Sequence, residues 1–128
     1  MTHLGNLLTN LKNSQLRKKE TINVPYTNLI VSVCEILKAR NFIRDFEIVE
    51  GKFKQIKISL SYPEDGSMAI LSAKLVSKPG VRKYQKAIDI RPLLNGRGLR
   101  IVSTPKGIKD GMEAQKMNLG GELLCEVY

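Results

Sequence analysis

Between Ile56 and Tyr62 apolar and polar residues alternate without a break: Ile56, Ile58, Leu60 and Tyr62 against Lys57, Ser59 and Ser61. Only an extended strand sorts a period of two onto opposite faces, so this segment lies half-buried in a sheet and needs an apolar layer against it. That cover is upstream. Leu4, Leu7, Leu8 and Leu11 recur at helical spacing, which predicts an amphipathic helix over about residues 3–13. Pro25 and Thr27 then offer a helix start, and Leu29, Ile30, Val33, Ile36 and Leu37 form the stripe of a second helix ending near Arg40-Asn41. Phe42 to Val49 reads as the first arm of a hairpin turned at Gly51. Pro63-Glu64-Asp65-Gly66 has the composition of a turn, and Met68 to Val76 reads as a further strand. Helix, short strand, helix and antiparallel sheet make an α+β unit.

The character of the chain changes after Val76. Lys78, Arg82, Lys83 and Lys86 surround Pro79-Gly80 and Tyr84, and a strand at 99–103 follows Gly96-Arg97-Gly98. Asp110 and Glu113 stand at capping-box spacing, which predicts a short helix over about 111–118. Gly120-Gly121 is expected to stop that helix with a left-handed cap, and 123–127 to form the last strand. The predicted organisation is α+β in two abutting halves. Residues 1–76 form a helix-strand-helix-sheet unit, and residues 77–128 a mostly β unit with one short helix.

Lys and Arg number 21 against 12 Asp and Glu, a formal charge of +9. Such an excess repels itself in a compact fold and is usually kept for an anionic partner, nucleic acid first among them. No stretch approaches the ~20 apolar residues that span a bilayer, and no leader of basic then apolar residues opens the sequence. No membrane partner is expected, and the protein should work where it is made or have lost a targeting segment. Cys34 and Cys125 lack metal-ligand spacing and sit in apolar runs, as reduced core residues do. His3 is the only histidine, so no His-based relay or metal site can be assembled. Gly96-Arg97-Gly98 lacks the rest of a dinucleotide fingerprint. Neither an enzyme nor a cofactor nor a metal is expected.

The sharpest local signal is Ser103-Thr104-Pro105-Lys106-Gly107, between a strand and a capped helix. Two hydroxyls can donate to and accept from base edges and ribose, which Lys and Arg cannot do. Lys106 supplies a phosphate partner, and Gly107 lets the backbone turn close to a bulky ligand. An ordinary turn whose Ser and Thr cap it themselves is the competing account. Arg82, Lys83 and Lys86 around Tyr84 pair cations with a ring that can stack on a splayed base; a solvated strand face competes with that reading. Thr9, Lys12 and Asn13 lie away from the leucine stripe of the first helix, as a phosphate-contact face or a solvated one.

The stretch from Gly98 through Ser103-Thr104-Pro105-Lys106-Gly107, continuing by Glu113-Ala114 to Gly120-Gly121-Glu122-Leu123-Leu124-Cys125, resembles the carboxy-terminal signature of a known family. That family is the S-eight family of bacterial-type small-subunit ribosomal proteins. Its signature runs from a strand into Ser-Thr-Ser-Lys-Gly, a capped helix, and a Gly-Gly-Glu-hydrophobic-hydrophobic-Cys strand. Ser77-Lys78-Pro79-Gly80-Val81-Arg82-Lys83-Tyr84 is similar to the family's basic Ser-Arg-Pro-Gly segment, and Leu8-Thr9 with Lys12-Asn13 matches its first helix. The resemblance covers nearly the whole chain and is densest at the carboxy end.

The resemblance implies a non-catalytic protein that binds a helix in the central domain of small-subunit ribosomal RNA and assembles early beside neighbouring small-subunit proteins. Its own messenger RNA is a further implied partner. By position, Ser103, Thr104 and Lys106 fall on the RNA-reading loop. Glu122 falls on a carboxylate that orders this loop or its RNA contacts, and Arg82 with Tyr84 in a secondary contact region. Pro105 stands where the family usually has a second Ser. The implied location is the ribosome, in a bacterial cytoplasm or, for an organelle-encoded copy, in a mitochondrial matrix or plastid stroma. Two rivals remain: a regulatory messenger-RNA-binding protein using the same surface, and a scaffold that binds acidic proteins.

Overall fold

α1 (His3–Leu16), β1 (Thr21–Pro25), α2 (Asn28–Ala39), β2 (Ile43–Val49) and β3 (Gln55–Leu60) form the first of two units in the computed structural model, which describes residues 3–128. This unit ends at Leu71, and the second spans Ser72–Tyr128. α1 buries Leu4, Leu7, Leu8 and Leu11, each a gain of about 1.5–3 kcal/mol over exposure. α2 begins where the sequence places it, with Thr27 Oγ1 accepting from the Ile30 N–H at 3.0 Å. The sheet runs β1-β3-β2, all antiparallel. Ile58 in the central strand stands opposite both Ile22 and Phe46. Ile56, Ile58 and Leu60 are buried, as the alternation requires. The turn at Pro63 closes through the Gly66 N–H on the Pro63 carbonyl at 3.2 Å, with Gly66 at φ +83°.

The helices end alike. Lys18, Asn41 and Asn118 take φ of 54°, 65° and 57° just past α1, α2 and α3 (Gly111–Lys116). After each, the next amide returns to a carbonyl five residues back: Lys19 to Ser14, Phe42 to Leu37, Leu119 to Ala114. The expected stop at Gly120-Gly121 is therefore corrected to Asn118, a residue that tolerates the left-handed region better than most. At the other end of α3, Asp110 Oδ1 accepts from the Met112 N–H at 3.0 Å.

The second unit adds β4 (Ala73–Leu75), β5 (Tyr84–Gln85), β6 (Leu99–Thr104), β7 (Gly107–Asp110) and β8 (Gly121–Val127). The long strand expected over 68–76 shrinks to β4. Because β4 pairs with the far end of β8, it belongs to the second unit, five residues before the expected boundary. β8 is the spine: β6 runs along one edge, β4 and β5 divide the other, and β7 lies outside β6.

The β6–β8 register passes from Ile101↔Cys125 to Val102↔Leu123 and skips Leu124. Such a bulge resets which residues share a face. Val102 and Leu123 point to one face, where they pack with Ile90 and Ala114. Ile101 and Cys125 point to the other and are fully buried. Ser103 and Glu122 continue that second face toward the end of the sheet.

Candidate nucleic-acid interface

β6 and β7 are joined by a tight hairpin turn. Thr104↔Gly107 is their last pair, so Pro105 and Lys106 alone make the turn. Gly107 sits at φ +111°, open to glycine and strained for other residues. Thr104 is buried, and its hydroxyl donates to the Gly107 carbonyl at 2.7 Å while accepting from the Lys106 N–H at 3.2 Å. The self-capping account therefore describes Thr104. Ser103 next to it has no hydrogen-bond partner for its hydroxyl among the described residues. Pro105, Lys106 and Gly107 are exposed.

Sheet register gathers the other groups. Ser103 pairs with Glu122, and Glu122 pairs with Tyr84 on its other side. Paired residues share a face and lie about 4.5–5.5 Å apart between β-carbons, so Tyr84, Glu122 and Ser103 form one row across three strands. Tyr84 is 72% exposed, its ring free to stack. Arg82 Nη1 donates to Glu122 Oε2 at 3.2 Å. A bare carboxylate would repel phosphates; with Arg82 against it, the pair presents an acceptor for ribose hydroxyls and amino groups while losing its net charge.

Gly120 and Gly121 make the row possible. A β-carbon on Gly121 would stand 1.9 Å from the Ser103 carbonyl oxygen, and one on Gly120 2.6 Å from that of Gln85. The glycine pair admits β6 and β5 to the start of β8, which is its role in place of the expected helix stop.

The basic segment is held by a residue that sequence reasoning missed. Ser77 is buried, and its hydroxyl accepts from the Lys83 N–H at 2.9 Å and donates to the Lys83 carbonyl at 3.3 Å. The same carbonyl accepts from the Leu123 N–H at 2.8 Å. Lys78-Pro79-Gly80-Val81 folds into a tight reversal with Gly80 at φ +82°. Arg82 and Lys83 leave this anchor exposed, and exposed Lys86 precedes a single 3-10 turn at 87–89. The one available signal for Ser77 was a hydroxyl residue at the head of a Lys-Pro-Gly turn.

In the first unit, Thr9, Lys12 and Asn13 are all exposed on α1. Thr9 and Asn13 line a shallow polar concavity with Asn6, Asn10, Arg17 and Lys19, while Lys12 is not part of its lining. The cations there are Arg17 and Lys19, neither of which stood among the expected contact residues.

Nucleophile chemistry is suppressed at both cysteines: burial pushes the Cys34 and Cys125 thiols up to about 12.

The sequence matches the family model described as Ribosomal protein S8 over residues 2–128. Among similar curated proteins, the small ribosomal subunit protein uS8 of Lactobacillus delbrueckii subsp. bulgaricus is 40% identical over 126 residues, covering 98% of this chain and 96% of the relative. That of Roseiflexus castenholzii is 39% identical with the same coverage. The protein of the same name from Paracoccus denitrificans is 42% identical over 127 residues, again with 98% and 96% covered.

Proposed function

This chain belongs to the ribosomal protein S8 family, a family of structural proteins and not of enzymes, and from that premise we propose that it holds a helix of small-subunit ribosomal RNA through its second unit. It is a constituent of the small ribosomal subunit, with ribosomal RNA and proteins as its neighbours. The row Tyr84–Glu122–Ser103, closed at one end by the Pro105-Lys106 turn, carries the reading. It sets a stacking ring, a neutralised carboxylate and an unpartnered hydroxyl side by side on one face. Regular A-form major grooves exclude side chains, so a row of this kind suits a distorted, non-Watson–Crick part of a helix.

In this reading Ser103 contacts base or ribose, Thr104 fixes the turn, and Lys106 meets a phosphate. Pro105 and Gly107 shape the backbone. Arg82, Lys83 and Lys86 supply salt-dependent affinity, and Thr9, Lys12 and Asn13 add a contact from α1. Holding the helix stabilises a subdomain of the central domain during assembly. The same face would let the protein bind its own messenger RNA. Its seat is the ribosome of a bacterial cytoplasm or, for an organelle-encoded copy, of a mitochondrial matrix or plastid stroma, and fractionation of the source cell distinguishes these.

Crosslinking in the protein's own cell, followed by sequencing of the attached RNA, tests the proposal. We expect a central-domain segment of small-subunit ribosomal RNA, with crosslinked peptides from 82–86 and 103–107. Messenger RNA alone, with no cosedimentation with small subunits at high salt, would establish the regulatory rival. Recovery of no RNA would leave the scaffold.

A further inference from the structure

Phe53 lies in the connection between β2 and β3, in the first unit and far along the chain from the row Tyr84–Glu122–Ser103. Of the three phenylalanines, Phe42 is buried and Phe46 packs opposite Ile58, but Phe53 is 76% exposed. It sits between two lysines. Lys52 Nζ is 5.8 Å from the centre of the Phe53 ring. Lys54 Nζ is 4.2 Å from the centre of a second ring, Tyr26. The Tyr26 N–H donates to the Lys54 carbonyl at 3.2 Å, carrying the β1–β3 ladder one step past Pro25↔Gln55 and bringing that ring to the hairpin. The Tyr26 hydroxyl then donates to Asn28 Oδ1 at 3.0 Å, which fixes the ring. Glu50 lies 3.6 Å from Lys54; Lys52 has no carboxylate in ion-pair range among the described residues.

We propose that this hairpin tip is a second RNA contact, which stacks an unpaired base on Phe53 while Lys52 and Lys54 meet the flanking phosphates. An exposed ring loses favourable energy to water unless something covers it, and every base offers a π-face of suitable size. Ammonium groups beside the ring are where the phosphates of a stacked nucleotide fall, and a compact cation tolerates varied backbone geometry. Lys52, without a carboxylate, supplies the charge; Lys54 exchanges Glu50 for phosphate. An apolar protein surface fits less well, because seating Phe53 would also bury both flanking ammoniums. The contact is read from the first unit alone, so it stands or falls separately from the row in the second.

The chain has no tryptophan and four tyrosines, so Phe53→Trp installs a single tryptophan at the tip, excited selectively at wavelengths that tyrosine does not absorb. Titrating this variant with hexauridylate and hexaadenylate should give saturable quenching, and should do so equally in a Lys106→Ala background. In that background, Phe53→Ala should weaken binding of a labelled hexamer at least about fivefold, the fold-change of one lost stack. Lys52→Ala should weaken it further at low salt than at high salt. Phe53→Leu keeps an apolar side chain without a stacking face and should bind like Phe53→Ala. The proposal is overturned by a titration without saturable quenching, by quenching that vanishes with Lys106→Ala, or by full affinity of Phe53→Leu, which would indicate an apolar docking contact.

Discussion

The Thr104 hydroxyl donates to the Gly107 carbonyl across a turn of only two residues, oxygen to oxygen 2.7 Å. Ser103, one position earlier on the opposite face of the strand, has no such use for its hydroxyl. Two adjacent hydroxyl residues therefore separate into a structural one and a free one. Thr104→Val should lower stability by about 1 kcal/mol for its lost hydrogen bonds, and Thr104→Ser should restore most of it. Ser103→Ala should leave the melting temperature unchanged and weaken specific RNA binding by about 1–3 kcal/mol. Paired melting curves and filter-binding titrations check this; equal melting of the two hydroxyl-deleted variants would contradict the division.

Gly121→Ala puts a methyl group where the Ser103 carbonyl stands, 1.9 Å away. Backbone cannot move aside as a side-chain tip can, so the loss should reach or pass the top of the ~1–3 kcal/mol range for overpacking. Gly51→Ala meets nothing within 4 Å and needs no positive φ. It should be neutral or stabilise by about 0.4–1 kcal/mol through the unfolded chain. Urea denaturation of both variants measures the difference.

Arg82 and Lys86 act by charge. Replacing both with Ala should weaken binding to specific and unrelated RNA alike and flatten the salt slope by roughly 0.7–0.9 per lost phosphate contact. Ser103→Ala should leave the slope where it was. Identical slope changes in the two sets would mean that the 103–107 loop is itself a phosphate clamp.

Pro105 fixes its own φ near −65° and has no N–H to donate, at the first position of the two-residue turn. Pro105→Ser should lower stability by about 0.4–1 kcal/mol. A restored hydroxyl should add about 0.5–1.5 kcal/mol on a bacterial-type RNA hairpin, so the Ser variant binds that hairpin slightly tighter. Weaker binding would show that turn rigidity is what this position contributes.

The thiols give a prediction about pH. Only the thiolate reacts, and a thiol at about 12 is ionised at pH 8 to roughly one part in ten thousand. Burial disfavours the anion, so reactivity stays low until pH nears 12 or the fold opens. A disulfide reagent at pH 8 should label neither cysteine in the native protein and both in denaturant. Fast native labelling would mean that one of them is accessible.

Much of this was legible in residue types. The period of two at Ile56–Tyr62, the helical stripes, Thr27 as a cap, and the turn at Pro63 are local properties, each decided within a few residues. β5 and β7 were not legible: Tyr84–Gln85 and Gly107–Asp110 are too short for any period and are strands only because β8 and β6 pair with them. β4 was visible as a strand but its partner was not, since pairing between Ala73 and Val127 leaves no mark near either. The site divides the same way. Ser103 and Lys106 stood out by their chemistry, whereas Glu122 came only by resemblance, because its place beside Ser103 and Tyr84 depends on register. Gly120-Gly121 was noticed for a reason the structure replaces, as helix stop and close approach both call for glycine.

Leu124 is the residue the β6–β8 register passes over, and that omission decides which way Glu122 faces. Without it, strict alternation back from Cys125 would turn Leu123 to the face Glu122 now occupies, and Glu122 to the packed face beside Ile90 and Ala114. No amino-acid exchange can undo that assignment, because parity in a strand is a matter of counting. Gaining one codon at this point would. Substitutions can therefore accumulate across β8 while the acid keeps its side of the sheet, loss of Leu124 only makes the ladder regular, and single-residue insertions between Glu122 and Cys125 form the class of change this strand is least able to absorb.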